Sequence, residues 1–74
     1  MNTKLRGKRA EKLLSQRDLA EKLGIDLSTY NRKENGIQDF TLTEIQNLMY
    51  YLDCSFEDIF FTKEVANKYE NEKK

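Results

Sequence analysis

Apolar positions along this chain recur three and four residues apart, and alternation at every second residue is scarce. That spacing predicts helices rather than strands. No proline interrupts them. Five short helices fit, each with a punctuating residue. The first runs from about Thr3 to Lys12 with Leu5, Arg9 and Ala10 inward, slightly weakened by Gly7. The second opens at Ser15, with Asp18 three residues on as a capping box, and buries Leu19, Ala20 and Leu23. Gly24 supplies the left-handed residue that ends it. Ile25 plugs the turn, and Asp26 caps a third helix over about Leu27 to Asn35, closed by Gly36. Thr41 and Glu44 box the start of a fourth, whose inner stripe is Ile45, Leu48, Met49 and Leu52. Ser55 and Asp58 repeat the signal for a fifth carrying Phe56, Ile59 and Phe60. Tyr30, Met49 and Cys54 are expected in the core. One of Tyr50 and Tyr51 is expected to be exposed, because adjacent residues cannot share a narrow stripe.

From Thr62 the chain is polar and charged. Its one sparse stripe, Phe61, Val65 and Tyr69, predicts a short sixth helix or a frayed end. The expected architecture is all-α, with one folded domain over 1–61 and a charged tail or short helix over 62–74. A chain of 74 residues holds one domain of this kind.

The second and third helices, Gln16 to Asn35, are joined by a short glycine-containing turn. That is the helix-turn-helix plan, in which the second element enters the major groove. Wheel arithmetic at about 100° per residue tests it. With Tyr30 inward at zero, Glu34 falls at about 40° and Leu27 at about 60°. Asn35 falls at about 140°, Ser28 at about 160° and Arg32 at about 200°. Thr29 and Asn31 lie on the flanks. The outward face therefore mixes short hydrogen-bonding groups with one arginine and no acid, which suits base edges and phosphates. Leu27 stays open between closing the core edge and touching a thymine methyl.

Charge sharpens this picture. The chain as a whole is neutral. Residues 1–36 nevertheless hold nine Lys/Arg against five Asp/Glu, a net +4, and residues 37–74 hold four against eight, a net −4. The basic half contains the helix-turn-helix and can face phosphates.

Taken together, QRDLAEKLGIDLSTYNRKENG resembles the signature of the Cro/CI-type (XRE) family of bacterial and phage repressors. LRGKRAEKLLSQ resembles that family's first helix, and TLTEIQNLMYYLDCSFEDIF its fourth and fifth, so the likeness covers about residues 5–60. The resemblance implies a five-helix, lambda-repressor-like DNA-binding domain, working as a homodimer on a near-palindromic double-stranded operator. It implies base reading by Leu27, Ser28, Thr29 and Arg32, with Asn31 on the flank of the same face. It implies phosphate contacts from Gln16 and Asn35, with Arg17 beside Gln16, and a pair between Arg9 and Glu34 that orients the third helix. Lys8 and Lys33 stand where the family often has apolar residues, and each is expected to lay its stem on the core edge with the ammonium in water. Phe40 stands where proline is common.

Enzymatic roles find no parts. There is no histidine, the single Cys54 makes no zinc set or internal disulfide, and no glycine-rich loop cradles phosphate. No cofactor or metal is expected. The basic N-terminus lacks the apolar run of a signal peptide and no stretch suits a membrane, so the expected location is cytoplasmic. The apolar surplus at Phe56, Phe60, Phe61, Val65 and Tyr69 suggests a dimer interface. Alternatives within the same fold are an antitoxin or a restriction-system controller, with a toxin or antirepressor as protein partner, or an interaction domain that has lost DNA.

Overall fold

The computed structural model describes residues 2–60, and the expected sixth helix, with Phe61, Val65 and Tyr69, lies outside them. Five helices follow in order: α1 (Thr3–Glu11), α2 (Gln16–Leu23), α3 (Leu27–Glu34), α4 (Leu42–Leu52) and α5 (Phe56–Ile59). No strand occurs among the described residues.

Local chemistry sets the boundaries. Asn2 starts α1 by accepting the Leu5 N–H at 3.0 Å. Ser15 and Asp18 exchange bonds of 3.0 and 2.8 Å to start α2. Asp26 accepts the Thr29 N–H at 2.7 Å and so satisfies one of the free donors at the start of α3. Thr41 and Glu44 form the box of α4 at 3.1 and 2.8 Å. Gly24, at φ 72°, ends α2 with its own N–H and that of Ile25 turned back on Glu21 and Ala20.

Two details depart from the periodic reading. Ala10 is exposed rather than inward. Leu5 is fully buried, and Ala10 lies about 140° from it on the wheel, whereas Arg9 lies only about 40° away. At the end of α1, Leu13 takes the left-handed conformation that glycine usually supplies, at φ 59° with its side chain 90% exposed. The Leu13 and Leu14 N–H groups close the helix on the Ala10 and Arg9 carbonyls. The side chain gains nothing, and the conformation costs about 1 kcal/mol.

In the packing, α2 lies closely on α3 and α1 on α5, while α4 backs α2 and touches α5. Leu5, Leu19, Tyr30, Leu48, Leu52 and Ile59 are wholly buried at the centre. Phe40 is the hub of the aromatic part. Its ring meets Tyr30 and Phe60 edge-on, each at 5.9 Å, and Phe60 stacks on Phe56 at 5.2 Å. Phe60 is thus core, and Phe56 is half-buried against the core. Most of the apolar surplus expected to form a dimer interface at these two positions is absorbed inside the domain, because a five-helix core this small needs them as its floor. Met49 and Cys54 are likewise only half-buried against the core. Both Tyr50 and Tyr51 are exposed, at 79% and 38%. Tyr51 is partly covered by the Lys22 ammonium, 5.1 Å from its ring centre.

Candidate nucleic-acid interface

The inner side of α3 is built around one carboxylate. Glu34 is 1% exposed, and both its oxygens are filled. Arg9 grips it with two bonds of 3.0 Å, Nε to Oε2 and Nη2 to Oε1. The Tyr30 hydroxyl donates to Oε2 at 2.6 Å, and Gln16 Nε2 donates to Oε1 at 3.0 Å. Four donors exhaust the lone pairs a carboxylate offers in its plane. Burial pushes the Glu34 carboxyl up, but Arg9, Tyr30 and Gln16 outweigh it and hold the group below the ordinary range. Burial and the bond to Glu34 push the Tyr30 hydroxyl up, so it stays a donor. The Arg9 guanidinium is held still more firmly protonated by its bonds to Glu34. Its remaining arm, Nη1, reaches the Leu14 carbonyl at 3.0 Å and pins the α1–α2 loop. The backbone joins in: the Asn2 N–H donates to the Glu34 carbonyl at 3.0 Å.

From this anchor a line of amides runs outward. Asn35 donates to Asn31 at 3.1 Å, Asn31 donates to Gln16 at 3.1 Å, and Gln16 donates to Glu34. Gln16 is therefore engaged at both ends of its side chain, with its second amide hydrogen outside these two bonds. Arg17, next to it, is exposed.

The outer side is sparse by contrast. Ser28, Asn31 and Arg32 are exposed, and Leu27, Thr29 and Asn35 are half-buried at the edges. Ser28 leans back on Asp26 at 3.2 Å. Among the described residues, Arg32 donates two long bonds, 3.3 Å to Thr29 Oγ1 and 3.5 Å to Gln38 Oε1. Asp26, the exposed N-cap of α3, is held ionised below its ordinary range by bonds from Thr29 and Ser28.

Three features here escape sequence reasoning. Tyr30 is a hydrogen-bond donor as well as a core ring, a role legible only in its four-residue spacing to Glu34. Gln38 stands beside Arg32 from the loop after α3, and nothing in the sequence pattern points to it. Lys33 does not snorkel: it is 7% exposed, with Nζ 2.6 Å from Glu44 Oε1. Its ammonium ends on the Glu44 carboxylate of α4 and not in water. Lys8 is half-exposed and pairs with Glu11 at 2.8 Å on the surface of its own helix.

Two short helices, a glycine turn and an acid-free outer face on the second define a helix-turn-helix DNA-binding domain. Residues 5–59 match the helix-turn-helix family model, and the chain belongs to that family, the XRE or Cro/CI type of DNA-binding transcription regulators. No curated protein matches the chain. Among the described residues, no helix is long and apolar enough to cross a membrane and no side-chain cluster is suited to a metal ion.

Proposed function

We propose that this domain is a sequence-specific transcriptional repressor that lays α3 in the major groove of double-stranded DNA. Arg32, Ser28, Thr29, Asn31 and Leu27 face the base edges, and Gln16, Arg17 and Asn35 face phosphates at the groove rim. The observation that carries this reading is the contrast across α3. Its inner carboxylate is fully bonded, while its outer arginine is held by two long contacts that a base edge readily replaces. Arginine pairs best with guanine O6 and N7. The amide line from Asn35 to Gln16 gives the rim a row of neutral donors suited to phosphate oxygens.

One α3 spans only a few base pairs, so two copies on half-sites about 34 Å apart, as a homodimer on a near-palindromic operator, supply the specificity a genome demands. Repression then follows from occupancy, because a protein seated over a promoter excludes polymerase. The domain proposed to read DNA is residues 1–61, with 62–74 a charged tail or short helix by sequence.

The test is a footprint on DNA flanking the protein's own gene, with affinity followed across salt. A symmetric protected site, and affinity falling steeply with salt as counterions are released, is the expected result. No protected site together with a flat salt response overturns the reading.

A further inference from the structure

We propose that the Lys33–Glu44 ion pair is a second aiming device for α3, setting the rotation of the helix about its axis together with the Arg9–Glu34 pair and the buried Tyr30 ring. The proposal rests on the DNA-reading role of α3 given above. Lys33 and Glu34 are adjacent, so their side chains leave the helix about 100° apart and straddle Tyr30. Each further hold in a diverging direction narrows the range over which the helix can turn.

The pair has the properties such a stay requires. The side chains of Lys33 and Glu44 are 6% and 12% exposed, and their charged atoms are 2.6 Å apart. Glu44 is not a loose partner. The same oxygen that receives Lys33 accepts the Thr41 N–H at 2.8 Å, so the start of its own helix fixes it. Burial pushes the Glu44 carboxyl up, but Lys33 and the Thr41 N–H outweigh it and keep it ionised.

Elsewhere the link between these helices is thin. The close seam of α3 is with α2, and α4 meets it without one. An apolar side chain at position 33 would fill the same space and slide on α4. An ion pair sets direction and distance. Buried pairs add little net stability against apolar replacements, so placement is what this one contributes. Lys33 and Glu44 are positioning residues. They act on DNA through the direction in which they hold Arg32 and its neighbours.

The experiment compares the wild type with Lys33→Met, Glu44→Gln and the double variant. Each is titrated, at one salt concentration, with a duplex selected from a random pool by the wild type and with a scrambled duplex of equal length. Thermal unfolding of each variant confirms that it is folded at the binding temperature. Lys33→Met and Glu44→Gln change net charge in opposite directions, so a purely electrostatic effect moves their affinities for the scrambled duplex oppositely. Loss of aim instead lowers the ratio of selected to scrambled affinity in both, by about tenfold, or about 1.4 kcal/mol. The double variant falls no further than either single one, since the pair acts as a unit.

Glu44→Gln keeps the cap acceptor and the shape, so it decides the matter if Lys33→Met does not fold. A folded Glu44→Gln protein with the wild-type ratio overturns the proposal. A wild type with no preference for any duplex overturns the DNA-reading role and this proposal with it. A wild type that discriminates, beside variants that discriminate equally, overturns the aiming role alone.

Discussion

The two sides of α3 are made from the same eight residues and behave as opposites. Inward, Glu34 receives four side-chain bonds, none longer than 3.0 Å. Outward, the exposed Arg32 is held by two contacts of 3.3 and 3.5 Å. The first arrangement leaves a carboxylate no alternative geometry. The second leaves a guanidinium able to exchange its partners at almost no cost. In the proposed function this division is useful: with the helix held from behind, an exposed arginine in front would lose little orientational freedom on meeting a base.

The strongest attempt to break this comparison removes the anchor. Arg9→Met strips Glu34 of two charged donors and leaves its carboxylate buried. We expect a loss of about 3–5 kcal/mol in urea unfolding at neutral pH. In a double-mutant cycle with Glu34→Gln, either single change should account for more than half of the double. Strict additivity would show that the inner side is not one network.

Acid attacks the same place. Because the Glu34 and Glu44 carboxyls are held below their ordinary value of 4.5 in the folded protein, they bind protons more readily when unfolded. Their stabilising contribution is complete above that ordinary value and is lost as pH falls through the lower, folded values. Chemical unfolding between neutral pH and about pH 3 should show stability declining on the acid side. In Glu34→Gln, the decline should be shallower. An equal slope in the variant would place the acid sensitivity elsewhere.

The outer side should respond in the reverse sense. Arg32→Ala is expected to leave stability within about 0.5 kcal/mol and to lower affinity for the selected site by about 1–3 kcal/mol, relaxing one base position. Unchanged specific binding at fixed salt would remove Arg32 from the interface.

The smallest effect is a control. Leu13→Gly relieves a left-handed leucine whose side chain touches almost nothing, and should raise stability by up to about 1 kcal/mol. DNA affinity should not change. A parallel change in both would mean that stability and reading cannot be separated as the two sides of α3 suggest.

What the sequence could reveal follows from distance along the chain. The boxes at Ser15–Asp18 and Thr41–Glu44 act over three residues, and Gly24 acts on its own backbone, so the helix starts and the sharp turn are written locally. The inward direction of Glu34 follows from its spacing to Tyr30, and the outward direction of Arg32 from the same wheel. The fate of Lys33 is not local. Whether a lysine stem ends in water or in a carboxylate depends on where α4 crosses, and the partner is eleven positions away. Gln16 is similar: its two bonds reach Glu34 and Asn31 across a helix crossing that periodicity does not describe. Phe60 looks like a surplus until Phe40 is placed under it. Leu13 shows the opposite failure, since a leucine in a conformation typical of glycine leaves no mark in the hydrophobic pattern.

Asn2 carries a consequence for how the domain assembles. Its backbone donates to the Glu34 carbonyl at 3.0 Å, and its side chain donates to the Ile59 carbonyl at 2.6 Å. Lys4 adds a bond of 3.2 Å to the Phe60 carbonyl. The α2–α3 unit closes over a short stretch of sequence, whereas the Asn2–Ile59 bond spans 57 positions and incurs the largest loop-closure entropy. It ties the chain into a ring, and loop-closure entropy favours the local α2–α3 contacts forming before it. The end of α3 lies on that ring, so the seating of α3 depends on the two ends of the described domain meeting.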